Sequence, residues 1–456
     1  MINTDDMYDI VIIGSGPAGY VAAIRAGQMG LKTAIVERDK IGGMCLNWGC
    51  IPSKSMIESV KLYQRILKDS ARFGIDGIQT GELSFNWDNA IKRADTIVKR
   101  LTGGVEFLLK KNGVDIIKGE AKVTSANSVL VENRLLETKN IIIATGSTSV
   151  PLENTFKNLV VEPKELFKQR NIPDNIVVTG NTPVSIELAQ LFRMMEKGVT
   201  LVTSADHIMP KADDYIRQYM ESRLKKDKIE IIYNAPLVSE NVVWKDGVLE
   251  ISGKSIKCDL IINSSARKGN LIKSDIEIEV NEGFYRVDQD CETSVKGVFA
   301  VGDVNGISQF AHIGSAQGLH VVNLLKGIKQ KLDIHKLPMN MYSFPEAAQI
   351  GLTEQEAKSE GYDYKVSEFP LSANGKAMSE GQSDGFLRLI SDKKLGEVLG
   401  VQIVAPNATD MINEASAYIQ LESTVYDIAQ TVHTHPTVSE IFMEAGFEAV
   451  DKAIHK

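Results

Sequence analysis

An apolar run, Asp9-Ile10-Val11-Ile12-Ile13, leads directly into Gly14-Ser15-Gly16-Pro17-Ala18-Gly19. No other feature constrains the fold as tightly. The run is short and continuous, as in a parallel strand buried on both faces. Tyr20 to Met29 can form a helix stopped at Gly30, and Lys32-Thr33-Ala34-Ile35-Val36 reads as the next strand, ended by Glu37. Alone, G-x-G-x-x-G is a weak signal. Between a strand and a helix, with a carboxylate closing the second strand, it marks a dinucleotide-binding unit. Gly14 permits the tight turn, Gly16 lets the backbone approach a pyrophosphate, and Gly19 lets the helix lie close on the strand. The helix N-terminus offers free N–H groups and the positive end of its dipole. Glu37 is placed to accept hydrogen bonds from a ribose.

The pattern returns near Asn175. Ile176 to Thr179 reads as a strand, Gly180 begins a turn, Val184 to Met195 suits a helix, and Val199 to Val202 a return strand. Buried strands also end at Ala144-Thr145-Gly146-Ser147 and, after Gly297-Val298-Phe299-Ala300-Val301, at Gly302-Asp303. From about Asp333 strands and helices mix without another glycine-rich turn. A chain of 456 residues is too long for one core. A net charge of −8 with dispersed Lys and Arg argues against nucleic acid or anionic membrane as partner. No apolar window reaches the length of a membrane span, and the acidic start, Met1 to Asp6, does not resemble a signal peptide, so the cytoplasm is the expected location.

The four cysteines are Cys45, Cys50, Cys258 and Cys291, too few for a disulfide scaffold. Cys45 and Cys50 lie close together in Gly42-Gly43-Met44-Cys45-Leu46-Asn47-Trp48-Gly49-Cys50-Ile51-Pro52-Ser53-Lys54. Zinc would need about two more ligands nearby, which are missing, so no metal is expected. Two readings remain: a redox pair, or two core cysteines. Dithiol exchange needs adjacent thiols, because a thiolate attacks a disulfide through a mixed disulfide. A helix start and the cation of Lys54 would lower a thiol pKa there.

The segment Cys-Leu-Asn-x-Gly-Cys-Ile-Pro-Ser-Lys resembles the pyridine nucleotide–disulfide oxidoreductase family, most closely its dihydrolipoamide dehydrogenase branch. Leu101-Thr102-Gly103-Gly104-Val105, Ala144-Thr145-Gly146-Ser147, Gly302-Asp303-Val304, Pro345-Glu346, Gly351-Leu352-Thr353 and His433-Thr434-His435-Pro436-Thr437 resemble family segments in the family's order. The resemblance implies an α/β fold with two Rossmann-like domains and a C-terminal α+β dimerisation domain. Residues 1–150 and 271–332 would form an FAD-binding domain, 151–270 an NAD-binding-like domain, and 333–456 the interface domain.

By the same resemblance, Cys45 is the interchange thiol and Cys50 the thiol beside the flavin. Gly14, Gly16, Gly19, Glu37, Thr145, Gly146 and Asp303 serve the FAD site. Lys54 sits by the flavin, paired with Glu187, and Gly180 begins the NAD turn. Met44 replaces a usual Thr, and Trp48 a usual small apolar residue. His435 and Glu440 form the acid–base pair, with His433 in support. An imidazole of near-neutral pKa suits proton removal from a dithiol, and a carboxylate fixes its tautomer. In the family this histidine comes from the partner subunit, which implies a homodimer.

The expected reaction is oxidation of the dihydrolipoyl group of a lipoylated protein, in a 2-oxo acid dehydrogenase or glycine cleavage complex, with FAD as cofactor and NAD as acceptor. Rival readings are a related disulfide reductase or electron carrier with a non-NAD acceptor, and a weakly active subunit of a lipoyl complex. The second turn argues against tight NAD binding. In Gly180-Asn181-Thr182-Pro183-Val184-Ser185, Thr182 and Ser185 stand where the family has glycines, and Thr203 stands where NAD-using members carry an acid. His207 is the only nearby candidate for a 2′-phosphate. Ala266-Arg267-Lys268-Gly269 departs from the family's Gly-Arg-x-Pro. The sequence therefore leads to an expectation of weak NAD binding.

Overall fold

The structure, a computed structural model, describes residues 7–152, 159–237, 242–329 and 331–456. It divides into two compact units. One comprises Met1–Glu153, Val160–Ile172 and Ala266–Leu332; the other Asn154–Leu159, Pro173–Ser265 and Asp333–Lys456.

In the first unit, five parallel strands run in the order Val298–Ala300, Arg134–Ile143, Tyr8–Ile13, Thr33–Glu37 and Asp115–Lys118. Ile12 aligns with Ile35 on one side and Ile142 on the other, and all three are fully buried. The central stretches Ile10–Ile13, Ala34–Val36 and Ile141–Ile143 are wholly apolar and buried, as strands covered on both faces require. Helix Pro17–Gln28 starts before the expected Tyr20, because Pro17 sits in its first turn, where a fixed φ suits the helix and no N–H is lost. Helix Ala311–Leu325 lies almost backbone to backbone on it: a Cβ on Gly318 would stand 2.5 Å from the Ala18 carbonyl oxygen. An antiparallel meander, Ala121–Ser125 and Ser128–Val131, joins the start of Arg134–Ile143.

The expected boundaries at 151 and 270 shift. Arg267–Gly269 pairs antiparallel with Ser147–Ser149, which carries it into the first unit. The stretch Val160–Ile172 joins that unit as well, where the Trp87 indole N–H donates to the Gln169 carbonyl at 3.0 Å.

In the second unit, parallel strands run in the order Glu230–Ile232, Gly198–Val202, Asn175–Thr179 and Leu260–Asn263. Helix Pro183–Met194 follows the third of these. The C-terminal part is an antiparallel sheet ordered Met339–Met341, Glu346–Gly351, Val398–Ala405, Phe386–Asp392 and Tyr364–Pro370. Its core takes in Phe369, Val401 and Ile403, with Phe442 from helix Glu440–Val450. A buried ion cluster braces this unit. Arg388 bonds Asp213 at 3.3 Å and Glu354 at 2.7 Å, and its guanidinium lies 4.2 Å from the Tyr215 ring centre. No helix among the described residues is long and apolar enough to cross a membrane.

Candidate active site

The first glycine turn is shaped by contacts only glycine tolerates. Gly14 has φ +103°, and a Cβ there would lie 2.3 Å from the Ala144 carbonyl oxygen; one on Gly19 would lie 1.9 Å from the Gly14 oxygen. Gly16 differs, for a Cβ there would meet nothing within 4 Å. It faces a cavity of about 420 Å³ that also reaches Glu37, Cys45, Cys50, Thr145 and Asp303. The space in front of Gly16 is what a closely approaching pyrophosphate requires. The Glu37 carboxylate accepts from the Ser15 N–H at 2.9 Å and the Ser15 hydroxyl at 2.6 Å, fixing the second strand's end to the turn.

The cysteine segment folds against this turn. The Gly42 N–H donates to the Ser15 carbonyl at 3.0 Å, and a Cβ on Gly43 would stand 2.6 Å from the Gly16 Cα. Cys45 lies in the short helix Gly43–Trp48, and Cys50 opens the long helix Cys50–Asp69. The pair therefore bridges two helices instead of sharing one start. Gly49 makes the junction, where a Cβ would come within 3.0 Å of the Met44 carbonyl oxygen. The Asn47 amide holds the short helix by donating to the Ile41 and Gly43 carbonyls, both at 2.9 Å.

The two thiols hydrogen-bond each other. That bond, then burial, pushes the Cys45 pKa well up, while the Lys54 ammonium one turn beyond Cys50 pulls it down. Burial pushes Cys258 and Cys291 each up to about 12, as expected of inert core thiols.

Asn270, not singled out in the sequence, and residues of segments named there complete the cavity wall. Asn270 braces the Thr145–Gly146 turn: its amide donates to the Thr145 carbonyl at 2.9 Å, and its carbonyl accepts from the Thr145 hydroxyl at 2.7 Å. The Ser147 hydroxyl donates to Asp303 at 2.6 Å. Arg267 donates to the Ser147 hydroxyl and carbonyl, both at 2.8 Å, and reaches the Met44 sulfur at 3.4 Å. Burial raises the Asp303 pKa, against the Ser147 hydrogen bond and the Arg267 charge. Trp48 carries the Lys164 ammonium over its ring at 4.2 Å, and Lys164 pairs with Asp39 at 3.1 Å. A bare glycine backbone at a helix N-terminus, a carboxylate at the strand end and a second, half-buried carboxylate lining the same cavity as the thiols are the groups a flavin dinucleotide needs. The residues present fit FAD.

The second turn is built differently. Gly180 keeps φ +113°. Thr182 caps helix Pro183–Met194, and its N–H donates to the Ser185 hydroxyl at 3.2 Å. Thr203 uses its hydroxyl to accept the Ala205 N–H at 3.1 Å. His207 pairs with Asp206. Glu187 is buried on the same helix and accepts the Tyr342 N–H at 2.9 Å.

His435 is exposed over 80% of its side chain, and its Nδ1 lies 2.9 Å from Glu440. Burial works to raise the Glu440 pKa, but the Thr437 N–H at 2.8 Å and His435 outweigh it and hold it low. With Nδ1 facing the carboxylate, Nε2 is the ring nitrogen left for proton exchange. Asn374 fixes this corner by donating to the Thr437 carbonyl at 3.0 Å. His433 Nε2 lies 2.7 Å from Glu414, whose hydrogen bond raises the imidazole pKa.

The sequence matches the pyridine nucleotide-disulphide oxidoreductase family over residues 8–318 and that family's dimerisation domain over residues 337–446. Dihydrolipoyl dehydrogenases of Bacillus subtilis (strain 168) and Geobacillus stearothermophilus are 35% and 38% identical to it, each across 98% of the chain and 99% and 97% of their own lengths. Among solved structures, LpdA from Mycobacterium tuberculosis has a TM-score of 0.87 at 22% identity, covering 96% of this chain and 98% of that one. The HOCl-induced flavoprotein disulfide reductase RclA from Escherichia coli has a TM-score of 0.84 at 23% identity, covering 97% and 100%. These two likenesses establish the fold, and enzymes of the matched family use FAD and NAD. The chain belongs to the pyridine nucleotide–disulphide oxidoreductase family, as a dihydrolipoyl dehydrogenase-like, FAD-dependent disulfide oxidoreductase.

Proposed function

We propose that the protein oxidises the dihydrolipoyl group of a lipoylated protein through a Cys45–Cys50 disulfide, as a homodimer. The observation that carries this reading is the contact between the Cys45 and Cys50 thiols in the wall of the cavity that Gly16 and Asp303 also line. One substrate thiolate attacks the Cys45 sulfur, the Cys45–Cys50 bond breaks, and Cys50 leaves as a thiolate. His435 of the partner subunit takes the proton from the second substrate thiol. That thiolate closes the lipoyl disulfide and expels Cys45, which recovers a proton from the imidazole. Two electrons and one proton then reside on the cysteine pair. Bound FAD supplies the two-electron chemistry that reoxidises the pair.

Lys54 is assigned to the charge balance around the pair, and Glu440 to holding the His435 tautomer. The lipoylated partner belongs to a 2-oxo acid dehydrogenase or glycine cleavage system. NAD is the acceptor by family; an acceptor other than NAD is the second reading, favoured by the bonded Thr182–Ser185 pair. Rapid mixing of the FAD-loaded enzyme with dihydrolipoamide tests the assignment. His435→Ala should slow flavin reduction by about 10²–10⁴-fold, the usual contribution of a general base, with FAD binding intact. A loss below about threefold would remove His435 from this role.

A further inference from the structure

We infer that Thr182 and Ser185 are specificity-determining residues that hold nicotinamide-nucleotide affinity low by closing the second glycine turn on itself. This rests on the reading of the chain as a flavin disulfide oxidoreductase whose second turn corresponds to the nicotinamide site.

A pyrophosphate at such a turn needs bare backbone at the middle position, free N–H donors at the helix start, and a carboxylate for the ribose. Each is altered here. At the middle position Gly16 of the first turn leaves open space, whereas Thr182 fills the equivalent place with a Cβ and a methyl group. The Thr182 N–H is consumed by the Ser185 hydroxyl, and the two hydroxyls lie 3.2 Å apart. Ser185 is fully buried, and its hydroxyl in turn reaches the Ser264 carbonyl at 3.4 Å, while Ser264 donates to the Thr179 carbonyl at 2.6 Å. The polar groups at this end of the sheet thus satisfy one another.

The ribose position has changed as well. In the first turn the Glu37 carboxylate ties the strand end to Ser15. In the second, the following loop does so through main chain: the Met209 N–H donates to the Asn181 carbonyl at 2.7 Å. Ile208 and Met209 are buried. Thr203 carries no charge, and its hydroxyl is committed to Ala205. A dinucleotide entering here would have to break the Thr182–Ser185 bond and displace a methyl group, and would find no carboxylate.

Calorimetric titration of the FAD-loaded, full-length protein with NAD and with ADP-ribose tests the inference. ADP-ribose isolates the pyrophosphate and ribose contacts from the nicotinamide ring. The wild type should not saturate at low micromolar NAD. Replacing Thr182→Gly and Ser185→Gly together should tighten both ligands by roughly 10–150-fold, the range for restoring a hydrogen bond to a charged acceptor. Ser185→Ala frees the Thr182 N–H without adding backbone freedom, so it should shift both ligands in the same direction even if the double variant folds poorly. Saturation of the wild type at low micromolar NAD would overturn the inference. So would unchanged affinity in Ser185→Ala with its FAD retained. Flavin reduction by dihydrolipoamide, measured without nucleotide, reports the proposed function separately: its failure would remove that reading and leave the nucleotide affinities of the Thr182 and Ser185 variants unaffected.

Discussion

The two glycine turns begin from the same strand–turn–helix plan and end in opposite states. The first leaves its middle residue bare, faces a cavity, and ties its strand end with a carboxylate. The second caps its own helix, bonds its middle N–H to the Ser185 hydroxyl, and joins the turn to the following loop through backbone. Both retain a first glycine at positive φ, because that residue serves the turn and not the ligand. The difference separates what the fold requires from what the ligand requires. The first glycine belongs to the fold; the middle glycine, the free donors and the acid belong to the dinucleotide.

The comparison can be broken most severely by moving the second turn's middle residue into the first. Gly16→Thr should weaken FAD binding on the order of 100-fold, through the lost approach and hydrogen bonds of the pyrophosphate. Flavin retained after desalting is the measurement, and full retention would erase the distinction between the turns. Next comes Arg388→Leu in the second unit. It leaves the Asp213 carboxylate, fully buried, without its cation, a change that typically costs about 3–5 kcal/mol. Equilibrium denaturation should show that loss while the flavin content of the undenatured protein stays unchanged.

A smaller effect is expected from Glu37→Thr, which copies Thr203 into the first unit. It removes both Ser15 hydrogen bonds and the ribose carboxylate, and should lower FAD affinity by about tenfold. The smallest concerns His433, whose folded pKa is raised first by the Glu414 hydrogen bond. Its stabilising contribution is complete below the ordinary histidine value of 6.5 and fades as pH rises through the raised value. His433→Gln should flatten stability against pH in that window, read from thermal unfolding at a series of pH values.

The sequence reveals most where function is carried by contiguous residues. The Gly14–Gly19 turn, the Cys45–Cys50 segment and the His435–Glu440 spacing each lie within a few residues, and the structure brings His435 to Glu440 and Cys45 to Cys50. It reveals least where a residue acts through a distant contact. Asn270 braces Thr145 from 125 residues away, and Arg267 reaches Met44 from 223. Asn270 has no local signature, and the Arg267 segment, though visible against the family pattern, carries nothing that names its distant partners. The boundary near residue 270 was hidden for the same reason: Arg267–Gly269 is committed to the first unit by pairing with Ser147–Ser149, not by its composition. The closure of the second turn was half legible. The missing glycines were visible, but the bond from the Thr182 N–H to Ser185 required the geometry.

Anaerobic titration of the FAD-loaded protein with dihydrolipoamide tests the central claim most directly. The account predicts that about one equivalent of dithiol produces a two-electron-reduced enzyme with new long-wavelength absorption from the Cys50 thiolate beside the flavin. Cys50→Ser should lack that absorption, and Cys45→Ser should not be reduced by the dithiol. An unchanged rate of dithiol oxidation in either variant, or a wild-type spectrum that dihydrolipoamide leaves unaltered, would contradict it.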